Sequence, residues 1–448
     1  MIKVLSVDMT KGSEAGHIIR FALPLLFGNI LQQLYNVADT VIVGKYLGDD
    51  ALAAVGATGS ITYLFFTLCI GLAVGIGIII SQYFGAGMIK QVKSAVFNSA
   101  LVMGLFGVGI SVVSVILAEP LLRMLNTPEN ILPVSAGYMR IACAGTIAVA
   151  AYNWINSVMR SLGDSKTPLV FLGIASVLNV GLDLLFVIVF GWGVNGAAAA
   201  TVIAQGCSAL FAIIYAFKKN ENIRLEKSDM TVEKEMMLKC IRVGLPVAGQ
   251  NAMISVSMVA LQRVTNSFGE AVMAAYTASM RIEQLIQQPF GSLNAAMSTF
   301  VGQNIGAGKT LRAVKGYRVG LGISAGCAAA AAVLFMLFGR FITGCFVSGS
   351  EVIEIGTAAI RLTSLFYIFL GTIHITRGFL NGSGDTGYAV INGIVEVVSR
   401  IGFSLILTAV PFIGYRGIWI TTCITWTLTA VISVIRYKGK RWQKKSIV

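Results

Sequence analysis

From Ala51 to Ile89 the chain reads ALAAVGATGSITYLFFTLCIGLAVGIGIIISQYFGAGMI, 39 residues without one charged side chain. About 20 apolar residues cross the hydrocarbon of a bilayer as a helix, so this stretch decides for a helical membrane protein. Working outward, further uncharged runs cover Ser94–Ala118, Ile141–Met159, Leu184–Phe217, Val243–Gln262, Gln284–Gly308, Val319–Gly339 and Gly417–Ile435. Turn signals and charges divide the chain into twelve expected helices, near 18–43, 52–83, 95–117, 134–158, 168–190, 196–217, 241–266, 273–303, 315–338, 355–379, 388–409 and 415–437. The composition agrees: 56% of the 448 residues are hydrophobic and 12% charged, against about 25% charged in a soluble globular domain. An ordinary water-soluble enzyme is thereby excluded. With Pro at only 8 and a mean hydropathy of +0.79, so are disordered and collagen-like chains.

Seven Cys without a C-x-x-C spacing argue against a disulfide framework or a zinc site. His17 and His374, the only two His, are too few for a His-based metal cluster or a nucleophilic relay. The first 17 residues hold no apolar core of a signal peptide, so the chain is expected to begin in the cytoplasm and to act in the cell membrane as a multi-pass protein.

The net charge of +14 reads as topology. If both termini are cytoplasmic, 25 of the 34 Lys and Arg fall on the inner side, from Lys3 to the six between Arg436 and Lys445, whereas the outer loops hold only Lys45, Arg123, Arg340 and Arg416. The positive-inside rule then sets the orientation. The tail YKGKRWQKK fits anionic lipid and no nucleic-acid partner. Lys218–Arg242 carries 12 charged residues in 25 and is read as a solvated amphipathic helix linking two halves. The expected organisation is an N-terminal lobe (1–217), a linker (218–240), a C-terminal lobe (241–437) and a basic tail (438–448).

The halves are an internal repeat. At an offset of 221, LGDDALAA from Leu47 lies over FGEAVMAA from Phe268, SQYFGAG from Ser81 over GQNIGAG from Gly302, and Gly163-Asp164 over Gly384-Asp385. One more residue aligns Pro24 with Pro246. Six helices per half make the repeats parallel, with a pseudo-two-fold along the membrane normal, which suits alternating access around a central cavity. The string GSGDTG (Gly382–Gly387) follows no strand, so a nucleotide site is rejected in favour of a tight turn.

The repeat also isolates chemistry that the scaffold does not need. Asp39 maps onto Ala260, Asp183 onto Ser404 and Asn179 onto Arg400. A carboxylate in a membrane helix costs about 2.5 to 3.5 kcal/mol on insertion scales. Asp39, expected four residues from the outer end of helix one, Asn179 and Asp183 at i, i+4 spacing on helix five, and Thr201 on helix six are expected in one layer. Together they offer oxygens for a hard cation such as Na⁺, making the four its metal ligands, or two acids close enough to share a proton. The alternative reading is a helix cap and interhelical bonds. Glu396 and Arg400, at i, i+4, are expected to neutralise each other. Tyr35, Asn36, Glu283 and His374 are candidates for a cavity lining or relay.

At these residues the chain resembles the multidrug and toxic compound extrusion (MATE) transporters. The resemblance rests on Pro24 with the QLYNVADTVIVGKYLG run, the GAG turns at Gly85–Gly87 and Gly306–Gly308, the RSLGDSKTP turn and the twelve-helix plan. It implies export of organic, often cationic and amphipathic compounds in exchange for H⁺ or Na⁺, with no other cofactor and no enzymatic activity. Within the family the chain looks like the DNA-damage-inducible (DinF-type) branch, which implies coupling through Asp39, Asn179, Asp183 and Thr201 and a first-helix kink at Pro24. The expected partners are a small organic substrate and membrane lipid, and the chain is expected to be a monomer. The alternatives are a flippase of a lipid-linked saccharide or other lipid, and a non-transporting receptor or scaffold.

Overall fold

The computed structural model describes residues 6–125 and 127–448; Lys3 lies outside them. Fourteen α-helices follow in order: α1 (Glu14–Leu47), α2 (Asp49–Gly85), α3 (Ile89–Met124), α4 (Leu132–Ala144), α5 (Thr146–Ser161), α6 (Lys166–Asp183), α7 (Gly193–Lys219), α8 (Lys234–Thr265), α9 (Glu270–Gly306), α10 (Thr310–Gly344), α11 (Ser350–Leu365), α12 (Tyr367–Gly382), α13 (Gly387–Ala409) and α14 (Gly417–Lys438). No strand occurs among the described residues.

Nine of the described segments are single helices long and apolar enough to span a membrane. Two further spans are bent pairs, α4 with α5 by 41° and α11 with α12 by 51°. The twelfth, α9, has the length at 37 residues, but Arg281, Glu283 and its glutamines lower its hydropathy. Each of the twelve expected helices is therefore present. Their burial pattern is inverted relative to a soluble bundle: on α6 Val177 is 76% exposed while Asn179 is 1% exposed. Aliphatic side chains face lipid, and polar ones turn inward to find partners.

The repeat is a repeat of backbone conformation. Left-handed glycines recur at the offset of 221 in four pairs: Gly48 and Gly269 (φ 84° and 85°), Gly87 and Gly308 (72° and 71°), Gly163 and Gly384 (86° and 89°), and Gly193 and Gly414 (59° and 51°). Each sits at a helix junction where a Cβ would strain the turn. GSGDTG is such a turn, between α12 and α13. Its Asp385 receives Arg436 through two bonds of 2.7 and 2.8 Å, and the matching Asp164 receives Thr167 Oγ1 at 2.6 Å.

Two compact units emerge, and their borders fall inside helices. Of the described residues, the first comprises 6–8, 27–125 and 127–248, the second 9–26 and 249–448. The chain thus changes unit within α1 two residues after Pro24, and within α8 two residues after Pro246. In the first unit Gly71 and Gly75 of α2 meet the early part of α8 backbone to backbone. A Cβ on Gly71 would stand 2.3 Å from Ala248 Cα, and one on Gly75 2.2 Å from Gly244 Cα. Small residues four apart on both helices permit this approach, a packing mode suited to lipid surroundings. In the second unit Phe290, Phe335, Tyr367 and Trp426 form the aromatic core.

The segments that lead into α1 and α8 share the tripeptide Asp-Met-Thr, at 8–10 and 229–231, again 221 residues apart. In the second unit Met9 is 2% exposed. Its N–H donates to Gln303 Oε1 at 2.9 Å, and its carbonyl accepts Asn304 Nδ2 at 3.2 Å. Lys309 Nζ reaches the Thr10 carbonyl at 2.9 Å, and Arg312 pairs with Glu14 at 3.0 Å. In the first unit Lys93 pairs with Asp229 at 3.2 Å, and Asn98 Nδ2 donates to the Thr231 carbonyl at 3.1 Å. The Asp229 carboxyl is held below the usual carboxylate range, first by the Glu226 backbone N–H and then by Lys93. The first tripeptide thus docks where α9 ends and α10 begins, and the second on the first turns of α3.

The surface helix expected over Lys218–Arg242 is not formed. α7 runs on to Lys219, a coil with one 3₁₀ turn (Lys227–Asp229) follows, and α8 begins at Lys234. Side chains take the backbone donors a helix would use: Asn220 Oδ1 accepts the Asn222 N–H at 3.1 Å, and Asp229 Oδ2 accepts the Glu226 N–H at 2.9 Å.

Candidate functional site

The first unit gathers Asp39, Asn179, Asp183 and Thr201 into one polar cluster. α1 continues to Leu47, which sets Asp39 eight residues inside it (47 − 39 = 8) and leaves it no role as a helix-end cap. Asp183 is the last residue of α6. A π-helical turn, Leu184–Val189, starts directly after it, and such turns widen a helix and collect at functional positions. Asn179 and Asp183 are 1% and 0% exposed. With its amide turned to match donors to acceptors, Asn179 Nδ2 donates to Asp183 Oδ2 at 2.9 Å and its Oδ1 accepts the Thr201 hydroxyl at 3.2 Å.

Asp39 and Asp183 face each other within hydrogen-bonding range across α1 and α6. Each keeps one buried oxygen, Oδ1, without a partner. Two carboxylates this close repel unless a proton or a cation lies between them, and a buried acceptor left unmet costs about 1 to 3 kcal/mol. The pair of acids therefore suits a proton or a cation held between them. Tyr35, one turn before Asp39, adds its hydroxyl toward Thr201 and Gln205.

Two neighbours were not anticipated. Tyr138 of α4 lies close to both acids and to Tyr35, and Gln205 of α7 is i+4 from Thr201 with its Oε1 buried and unmet. The Gln205 spacing was a usable signal; nothing in the sequence marks Tyr138. Asn36 is exposed, and no described contact joins its side chain to the cluster.

Glu283 and His374 belong to the second unit. His374 stacks on Phe290 with ring centroids 6.3 Å apart, and its Nδ1 is buried without a partner. The expected Glu396–Arg400 pair is corrected: Glu396 instead binds Arg377 of α12 at 2.6 Å, beside an Asn392 that receives Arg377 at 2.8 Å and Gln250 at 2.6 Å. The i, i+4 spacing placed both on one side of α13 but could not reveal a stronger partner on another helix. Arg400 faces Glu283 instead.

Two six-helix repeats with polar residues turned inward, one of them carrying a pair of buried acids, fit a membrane transporter built from repeated helix bundles. The MatE family model matches residues 24–185 and 246–406, one copy in each repeat. The chain belongs to the MatE family, and is a multi-pass membrane transporter, not an enzyme. It is 29% identical to a probable multidrug resistance protein, YpnP, of Bacillus subtilis over 438 residues, 97% of each chain. A probable multidrug resistance protein NorM of Thermotoga maritima is 24% identical over 441 residues, 96% of this chain and 94% of its own. Among solved structures, a MOP-superfamily transporter from Pyrococcus furiosus superposes over 100% of both chains with a TM-score of 0.91 at 25% identity.

Proposed function

We propose that the protein exports small organic compounds, cationic amphiphiles among them, in exchange for a proton or sodium ion taken up at Asp39 and Asp183. The single observation that carries this reading is the facing pair of acids, each with an unmet buried oxygen. Asn179 and Thr201 supply further oxygens. Arrival of the cation removes the repulsion between the acids in the state that binds it better, and that difference in affinity drives the exchange of states. Pro24 interrupts the hydrogen-bond ladder of α1 fifteen residues before Asp39 (39 − 24 = 15), giving the helix a place to bend as the site fills. The names of the multidrug resistance relatives support the substrate class. With both termini cytoplasmic, the cation enters from outside. A flippase of a lipid-linked saccharide would call for basic residues around such a site, and the charged members of this cluster are acids.

The test is efflux of a fluorescent cation from inverted vesicles under an imposed pH gradient alone or Na⁺ gradient alone. Asp39→Asn and Asp183→Asn are expected to reduce gradient-driven flux to background. Full flux in both variants would sink the assignment.

A further inference from the structure

The second unit contains a charge that its fold leaves unmet. Arg400 is 4% exposed and lies nine residues from the nearer end of α13 (409 − 400 = 9), about 14 Å at the helical rise. Its Nε is buried without a partner. Among the described residues none of its nitrogens makes a hydrogen bond or stands within 4.0 Å of a carboxylate oxygen. Glu283 of α9 faces it electrostatically across that gap, beside the Thr363 hydroxyl of α11. Tyr276 and Tyr367, both buried, lie near these charges, and the Tyr367 hydroxyl has no hydrogen-bond partner. Opposite charges inside a membrane protein ordinarily close into a hydrogen-bonded pair, as Arg377 and Glu396 do nearby. Here they are held apart, and the arginine keeps a buried donor without a partner.

The repeat locates this gap. Arg400 occupies the position of Asn179, and Ser404 that of Asp183. The second unit thus presents an arginine where the first presents its acid-bearing cluster.

The geometry points to Arg400 and Glu283 as a charge-reading subsite for a zwitterionic compound, Arg400 receiving its carboxylate and Glu283 its cationic nitrogen. A planar guanidinium suits a carboxylate bidentately, and a buried glutamate suits a cationic nitrogen. The subsite rests on the export reading and narrows its substrate class. It predicts that a free carboxylate on a cationic amphiphile helps binding, where the acids of the first unit alone would repel it.

Rhodamine B and its ethyl ester are the same dye with and without the free carboxylate. Their binding to the purified full chain in detergent, followed by fluorescence anisotropy, requires no ion gradient. The intact protein is expected to bind rhodamine B at least about tenfold more tightly than the ester, one strong charged contact being worth about that factor. Arg400→Gln is expected to erase the preference by weakening rhodamine B alone, so that ester binding reports an intact fold. Glu283→Gln is expected to weaken both dyes. Ser404→Asp sets a carboxylate one turn from Arg400, and is expected to remove the preference without deleting the arginine. Equal binding of the two dyes by the intact protein, a parallel loss of both in Arg400→Gln, or a preference that survives Ser404→Asp would overturn the subsite. Failure of the export reading would show differently, as flux insensitive to both gradients with the dye preference intact.

Discussion

Positions 39, 179 and 183 of the first repeat and positions 260, 400 and 404 of the second occupy matching places in one scaffold, yet they hold Asp, Asn and Asp in one and Ala, Arg and Ser in the other. In the two repeats the paired glycines keep φ to within 8° of one another (59 − 51 = 8 at the widest). The difference teaches that the scaffold asks only for inward-facing side chains at these places, and leaves their charge open to function. One repeat has two acids short of a positive charge, and the other an arginine short of a negative one.

The strongest way to break that contrast is to write one repeat into the other. Asn179→Arg would set a guanidinium beside Asp183, worth about 4 kcal/mol at 4 Å for an effective dielectric of ~20. That fixed charge would replace the exchangeable one, and gradient-driven efflux in inverted vesicles is expected to fall about 100-fold or more. Retained efflux would mean that the acids act by some means other than taking up a cation.

A second comparison concerns packing. Gly71→Ala places a Cβ against the backbone of α8, and overpacking of this kind costs about 1 to 3 kcal/mol. At the matching place Ser292 already carries a Cβ, and its hydroxyl donates to the Gln288 carbonyl of its own helix, so Ser292→Ala adds no bulk and is expected to cost about 1 kcal/mol. Thermal unfolding in detergent should therefore rank Gly71→Ala below Ser292→Ala. Equal midpoints would deny that the α2–α8 approach is closer than its counterpart.

The smallest expected difference sharpens the contrast. Thr201→Val removes one hydroxyl from the acid cluster, a loss of about 0.5 to 1.5 kcal/mol, so half-saturation for the driving cation should rise about three- to tenfold. Its counterpart Thr422 bonds to the Ile418 carbonyl of its own helix, and Thr422→Val should leave that value unchanged. Matching shifts in the two variants would remove the asymmetry between the repeats.

The fold was legible because two independent signals agreed, uncharged runs of membrane length and the repeat that counted them. Even α9, whose hydropathy falls short of a span on its own, was delimited by its counterpart α2. The four cation-site candidates were legible as a group because their depth followed from helix direction and the i, i+4 rule. Their neighbours were less so. Tyr138 comes from α4, bent against α5 by 41°, and a bend of that kind re-aims side chains in a way linear spacing does not record. The partner of Glu396 was misread for a related reason, since spacing within a helix is blind to a competing arginine on another. The helix expected over 218–242 failed because charge density reveals solvent contact but not which side chains capture the backbone donors.

The docking of the two Asp-Met-Thr segments bears on ancestry. The first precedes α1, yet from Met9 onward it belongs to the unit built mostly from the second repeat, and the second belongs to the unit built mostly from the first. If the gene arose by duplication of a six-helix chain, two copies of that chain would have exchanged their leading segments, each completing the other as in a domain-swapped dimer. Fusion would then have joined two already interlocked subunits. A half-length chain made today is expected to expose the seat of its missing segment, and co-production of both halves to restore it.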